Sequence, residues 1–445
     1  MKYEERLQKV SVLGAAGKMG SGILLLTALE MHRLSLEPGN KETKFRLYAI
    51  DPSEEGLTGL MDYLRAQAQK TAEKNMVSLR KAYAHRNNLV ENEDIVRQYV
   101  DEVAGMVRIS PNIENAYGST LLLEAASEDR ELKVDLFRRI EKNSPEKPWY
   151  FTNTSSIPIH ILEKETGIEG RILGFHFYNP PAVQKLVELI FTPRTLEQAA
   201  RFAKDYAKNL GKIVVESNDV AGFIGNGFFM RDVIYSIVQA HKIAKDKPLT
   251  EALYTVNKIT QDFLLRPMGI FQLIDYVGID VVQFILKVMD PFFPEEKLQS
   301  SLLDQMVNDG IKGGQFSSGV QKDGFFQYEK GAIVGVYDPE NQEYLSVEEV
   351  KPQVMEALNS LPSAHKPWKS ILKMPDKEDH LETYFGELKN LETEGARLSI
   401  EFGRQYNAIG KKLVKDRVAK KEEDVNTVMR TGFFHAYGPV NDYFG

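Results

Sequence analysis

His176 and Glu188 are the first residues whose type and placement suggest chemistry. His176 lies in Gly174-Phe175-His176-Phe177-Tyr178-Asn179-Pro180, where an apolar strand gives way to a proline turn. An imidazole there stands at the carboxyl end of a strand, the edge at which open α/β sheets bind ligands. Glu188 lies inside Leu186-Val187-Glu188-Leu189-Ile190. A carboxylate in so apolar a strand is costly to bury alone and calls for a cationic or hydrogen-bonding partner. Most lone histidines are structural, and spacing alone leaves a His–Glu pairing open. If formed, the pair is a proton acceptor. Asn153-Thr154-Ser155-Ser156, ending another strand, adds hydroxyl groups at the same kind of edge.

A second constellation could hold a phosphate. Val10-Ser11-Val12-Leu13 reads as a buried strand and runs directly into Gly14-Ala15-Ala16-Gly17-Lys18-Met19-Gly20. Small residues there let backbone amides at a helix N-terminus approach a pyrophosphate. The Gly-x-x-Gly-x-x-Gly spacing is one residue longer than the commonest fingerprint, and a tight turn without ligand would look similar. The next strand, Phe45 to Ile50, ends in Asp51. A carboxylate there accepts hydrogen bonds from an adenosine ribose and repels a 2′-phosphate, which favours NAD over NADP. Beside a nicotinamide, the His–Glu pair would serve alcohol oxidation.

Among the elements that carry these residues, Ser21 to Glu30 has helical composition and Met31 to Lys44 reads as a surface loop. Leu57, Leu60, Met61, Leu64 and Ala68 fall on one helical face. They predict a helical excursion over 54–105 that returns at the strand Thr120 to Glu124. Further strands are expected at Trp149 to Thr152, Ile172 to Phe177, Leu186 to Ile190 and Ile213 to Glu216. Thr195 and Gln198 have capping-box spacing, with Gly211 closing the helix between. The pattern is α/β: a Rossmann-like, doubly wound N-terminal sheet over 1–217, then all-α C-terminal domains over 218–330 and 331–445. Arg266 to Gly278 resembles Gly432 to Gly445, so the last segment reads as a partial repeat of one helical module. A strand-like, glycine-rich stretch from Gly310 to Val336 lies between. Leu388, Leu391, Leu398 and Phe402 recur at helical spacing and suggest a structural apolar face in the tail.

Composition narrows the classes. The 445 residues are 42% hydrophobic and 27% charged, with net charge -7. These are globular values without a basic face, which argues against a nucleic-acid partner. The basic run Lys411 to Lys421 reads as a solvated helix face. No cysteine is present, which removes disulfides and thiolate metal sites and suits a reducing compartment. No metal is expected. Met1 to Arg6 is charged and the apolar stretch Ile23 to Leu29 is too short to span a bilayer. A soluble, cytoplasmic chain with no membrane insertion is expected.

Several motifs in order carry a more specific likeness. Leu123-Glu124-Ala125-Ala126-Ser127-Glu128-Asp129 with Lys133, Asn153 to Ile159, Gly174 to Pro180, Lys185 to Glu188, Ala221 to Asn226 and Arg266 to Gly278 resemble the 3-hydroxyacyl-CoA dehydrogenase family over residues 8 to about 285. The resemblance implies NAD-dependent oxidation of an L-3-hydroxyacyl-CoA, with His176 as base and Glu188 its orienting partner. It implies that Ser155 and Asn226 contact the substrate, and that Glu128, Lys133, Ser155 and Asn179 line the nicotinamide side. The helical excursion would help hold CoA, with Lys70 and Lys74 as phosphate contacts. The implied partners are the acyl-CoA substrate and either a second copy of the chain or a hydratase or thiolase; the chain has no recognisable hydratase domain of its own. Gly227 follows Asn226 where the family usually has arginine, and an insertion interrupts Gly310 to Tyr328. Two other readings stay open: a dehydrogenase of a free hydroxy acid or sugar acid, or a catalytically silent paralogue that binds acyl-CoA or NAD.

Overall fold

The computed structural model describes residues 2–316 and 319–445. The chain forms two compact units, Met1–Asp219 and Val220–Gly445. The first is built on eight strands: β1 (Lys9–Leu13), β2 (Arg46–Ile50), β3 (Val107–Ser110), β4 (Leu121–Glu124), β5 (Trp149–Thr152), β6 (Ile172–Phe177), β7 (Leu186–Phe191) and β8 (Ile213–Asn218). Their order is β3-β2-β1-β4-β5-β6-β7-β8. All neighbours pair in parallel except β6 and β7, which are antiparallel. Every residue of β4, β5 and β6 is buried. Since successive side chains point to opposite faces, the sheet is covered on both, which is why these strands read as unbroken apolar runs rather than alternating ones.

Three local expectations needed correction. The helix after the glycine turn spans Lys18–Ser35, so Met31 to Ser35 is helical and not loop. Met31, His32 and Leu34 are buried, and no breaker occurs before Pro38. The chain also re-enters the sheet earlier than Thr120. β3 is an edge strand with only Val107 buried, so it lacks an apolar signature. The expected Thr195–Gln198 capping box does not form. The helix Glu197–Asn209 has no side-chain cap, and the Thr195 hydroxyl accepts from the Thr192 amide instead (2.9 Å).

The helical excursion pairs Glu54–Lys74 with Asn92–Met106, linked through Met76–Ala82. Ser53 caps the first helix by accepting from the Gly56 amide (3.0 Å), and Leu57, Leu60, Leu64, Ala68 and Ala72 form its buried face. Glu102 fastens the excursion to the sheet-covering helix: it takes His32 Nε2 at 2.9 Å, Tyr83 Oη at 2.6 Å and Arg86 Nη1 at 2.5 Å.

The second unit holds both helical segments in one body. Gly225–Ile243 and Glu394–Lys415 are its longest helices. A small antiparallel sheet, in order β11-β10-β9, is formed by β9 (Phe326–Glu329), β10 (Ala332–Asp338) and β11 (Glu343–Ser346), within and just beyond the glycine-rich stretch. Ser317 and Ser318 of that stretch lie outside the described residues. The likeness of Arg266–Gly278 to Gly432–Gly445 has a structural counterpart in an asparagine against a glycine. A Cβ on Gly269 would collide with Asn257, and one on Gly438 with Asn426. Asn257 Oδ1 accepts the Gln272 amide (3.1 Å), and Asn426 Oδ1 accepts the Val440 amide (2.9 Å). The copies then diverge. The first continues as the helix Ile270–Val277, whereas Pro439 in the second leaves turns.

The apolar spacing in the tail also divides. Leu388 lies in the last turn of the helix Lys377–Lys389, Leu391 lies in the link beyond it, and Leu398 and Phe402 belong to Glu394–Lys415, whose N-cap is Thr393. That helix packs on the first segment. A Cβ on Gly227 would meet Leu413 Cδ2 at 3.2 Å, and one on Gly395 would meet Phe263. Tyr384 Oη donates to the Phe263 carbonyl (2.9 Å).

Candidate active site

The antiparallel turn between β6 and β7 sets His176 directly opposite Glu188 in register. His176 Nδ1 lies 3.3 Å from Glu188 Oε1, with side-chain exposures of 9% and 0%. Tyr178, just past β6, donates its hydroxyl to the same carboxylate oxygen at 2.6 Å. Its ring centroid is 4.9 Å from that of His176. Burial, and then the charge of Glu188, push the Tyr178 hydroxyl well above the ordinary phenol range, so it stays a donor.

The hydroxyl-bearing loop is held by a half-buried acid. Glu128 Oε1 accepts from Thr154 Oγ1 (2.7 Å), the Ser155 amide (2.8 Å), the Ser156 amide (3.1 Å) and Ser156 Oγ (2.9 Å). Ser155 Oγ stands 3.4 Å from the same atom. Burial alone would raise the Glu128 carboxyl, but Lys133 and these donors outweigh it and hold it below the usual carboxylate range. Lys133 is itself buried, bonded to Glu124 Oε1 at 2.7 Å and 3.5 Å from Glu128. Burial opposes its charge, yet the two carboxylates raise it above the ordinary lysine value. Lys133 therefore reaches the loop through Glu128. Asn153 Oδ1 accepts the Phe177 amide (2.8 Å), tying the loop to the His176 strand.

The glycine turn opens on a cleft of about 650 Å³, lined among others by Gly14, Gly17, Lys18, Met19, Asp51 and Ala126. Gly14 has φ of +73°, and a Cβ there would stand 2.5 Å from the Ala125 carbonyl. A Cβ on Gly20 would strike the Gly14 carbonyl, whereas one on Gly17 would meet only that carbonyl at 3.3 Å. Gly14 and Gly20 thus serve the turn itself, and Gly17 leaves backbone open toward the cleft. Asp51 lines the cleft while its carboxylate takes the Ala16 amide (3.1 Å) and the Ser53 amide (3.0 Å). Burial lowers the Lys18 ammonium from its ordinary value. Asn179 Oδ1 is buried without a hydrogen-bond partner among the described residues. An unsatisfied buried acceptor and an open glycine backbone are what a dinucleotide with an amide-bearing ring would use.

Residues 9–220 match the model of the 3-hydroxyacyl-CoA dehydrogenase NAD-binding domain, and 222–323 that of its C-terminal domain. The rat mitochondrial hydroxyacyl-coenzyme A dehydrogenase is 30% identical over 293 residues, covering 66% of this chain and 83% of the relative. This chain belongs to the 3-hydroxyacyl-CoA dehydrogenase family. A probable 3-hydroxybutyryl-CoA dehydrogenase of Bacillus subtilis is 28% identical across 73% of this family member and 98% of its own length. The crystal structure of Mycobacterium tuberculosis FadB2 superposes with a TM-score of 0.56 at 27% identity, covering 73% of this chain and 99% of its own. The crystal structure of 3-hydroxybutyryl-CoA dehydrogenase from Escherichia coli K12 has a TM-score of 0.62 and covers 98% of this chain and 90% of its own. At 21% identity it speaks for the fold alone. The first unit of this dehydrogenase is accordingly the NAD-binding domain.

Of the residues singled out in the sequence, His176, Glu188, Ser155, Glu128 and Lys133 all lie in the first unit, with Asn179 and the glycine turn. Asn226 lies in the second, near the start of the helix Gly225–Ile243. Lys70 and Lys74 are exposed on the helix Glu54–Lys74. Sequence reasoning missed Tyr178 and Glu124 as members of the polar network. Tyr178 follows His176 by two positions, and Glu124 ends an otherwise all-leucine strand; in both cases an odd polar atom at a strand end was the available signal. Among the described residues no cluster of three or more potential ligands could hold a metal ion, and no helix is long and apolar enough to cross a membrane.

Proposed function

We propose that this enzyme oxidises the 3-hydroxyl of an L-3-hydroxyacyl-CoA to the 3-ketoacyl-CoA. The observation that carries the reading is the cross-strand contact of His176 with the buried Glu188. In this scheme His176 takes the hydroxyl proton as the C3–H bond breaks. NAD, when bound, accepts the hydride from C3. Glu188, contacting Nδ1, fixes the tautomer that leaves Nε2 as base and stabilises the imidazolium that forms. Ser155 donates to the substrate oxygen, where negative charge grows in the reducing direction.

Gly14 to Gly20 would hold the pyrophosphate, Asp51 the adenosine ribose, and Asn179 the nicotinamide side. Glu128 and Lys133 support that side by fixing Ser155. Lys70 and Lys74 are offered as contacts for CoA phosphates. The lack of cysteine supports a reducing compartment, the cytoplasm. The tail covers the first helical segment, and the partners offered are a second copy of the chain or a hydratase or thiolase.

The test follows NADH absorbance with acetoacetyl-CoA, free acetoacetate and no substrate. Turnover with the thioester alone is expected. Turnover with the free acid alone would favour a hydroxy-acid dehydrogenase, and binding without turnover a silent paralogue. Asp51 makes a second expectation: kcat/KM with NAD should exceed that with NADP, and the opposite order would place another residue at the ribose.

A further inference from the structure

We propose that Tyr178 is a positioning residue for His176, which by donating to the Glu188 oxygen that His176 also contacts fixes the carboxylate and shares its charge. The inference rests on the reading of His176 as base and adds a residue that the reading does not require. Three distances carry it. The Tyr178 hydroxyl is 2.6 Å from Glu188 Oε1, His176 Nδ1 is 3.3 Å from the same atom, and the two rings are 4.9 Å apart. The shorter contact is the phenol's, so the carboxylate is held more closely by Tyr178 than by the ring it orients.

The neighbouring charges are engaged elsewhere. Glu163, from the helix packed on β6, accepts the Gly170 amide (2.9 Å). Lys204, from the helix packed on β7 and β8, pairs with Glu216 of β8. On β5, Thr152 donates to Glu124, which is bonded to Lys133. Tyr178 is placed to set how much negative charge Glu188 offers the imidazole. A second donor on a carboxylate spreads its charge and weakens its support of an imidazolium. Removing that donor should concentrate the charge on His176, so the imidazole should become more basic and the carboxylate less fixed.

Tyr178→Phe keeps the ring and removes only the donor. The His176 ring signal, assigned by its loss in His176→Ala, should move to higher pH in this variant relative to the unaltered chain. The acid limb of kcat/KM for 3-hydroxybutyryl-CoA oxidation should move up with it. A fall in kcat of roughly 2- to 10-fold, with KM for both substrates little changed, is expected. In a Glu188→Gln background, Tyr178→Phe should add no further shift, because its action passes through the carboxylate. An unmoved titration and pH profile in Tyr178→Phe, with His176→Ala inactive, would overturn this inference alone. Near-normal turnover of His176→Ala would overturn the base itself and this inference with it. A shift that persists in the Glu188→Gln background would also overturn it, since the phenol would then act on His176 directly.

Discussion

Both units hold buried or half-buried carboxylates, and the two sets are built differently. In the first, Glu188 and Glu128 hold things that face chemistry: an imidazole ring and a hydroxyl-bearing loop. In the second, Asp275 accepts the Phe325 amide (2.6 Å), the Phe326 amide (3.0 Å) and Tyr328 Oη (2.8 Å), pinning β9 to the helix Ile270–Val277. Asp232 pairs with Arg266 at 2.7 Å, and that guanidinium lies 3.9 Å above the Tyr406 ring from the tail. A buried acid is therefore no pointer to catalysis by itself. What separates the sets is what the acid positions: a strand or a fixed cation in one, a titratable ring or a strand-end loop in the other.

The largest effect is expected at His176. His176→Ala should lower kcat roughly 10²- to 10⁴-fold, the usual worth of a positioned acid–base group, with the urea midpoint little changed. Rapid-mixing or steady-state kinetics beside urea melts would show both; an equal loss of stability would move His176 into the structural set. Arg266→Leu should do the reverse. It strands Asp232 in the interior and should cost about 3–5 kcal/mol, while any folded fraction keeps NAD binding. In the double variant Asp232→Leu/Arg266→Leu most of that loss should be recovered, because no buried charge is then left unpaired.

Loss of the tail is expected to act on the second unit. A chain ending at Tyr328 loses Tyr384, Phe402, Tyr406 and Leu413, all buried. It uncovers the surroundings of Phe263, Gly227 and Arg266. Self-association or aggregation by light scattering is expected, with hydride transfer surviving in any soluble fraction. A monodisperse fragment that binds NAD but has no turnover would place gating or catalytic residues in the tail.

The smallest effect concerns a structural acid inside the first unit. Burial alone would raise Glu102, but donors from His32, Tyr83, Gln98 and Arg86 bring its carboxyl down to about 2. A pKa depressed in the folded state contributes stability above the ordinary carboxyl range and loses it as pH falls from about 4.5 to about 2. Urea midpoints at pH 5 and pH 3 should therefore draw closer together in Glu102→Gln than in the unaltered chain. Parallel declines would mean that other carboxylates dominate the acid limb.

Features that depend only on neighbours along the chain were legible before folding. Apolar runs specified β1 and β4 to β7, because strands covered on both faces tolerate no alternation. The helical face Leu57 to Ala68 specified the excursion, and small residues at 14, 17 and 20 specified the turn. The sequence also offered His176 and Glu188, each anomalous in an apolar strand. Edge strand β3 escaped notice because only one of its residues is buried, and the end of the helix at Ser35 because nothing local stops it sooner. Tertiary structure decided the rest. The antiparallel insertion of β7 put His176 and Glu188 in register, where a parallel strand would have sent their ends apart. Folding carried Glu128 and Lys133 under a loop more than twenty residues away, and laid the tail helix on Gly227. Register, loop support and helix packing depend on which surfaces meet, and composition and periodicity fix only which surfaces need a partner.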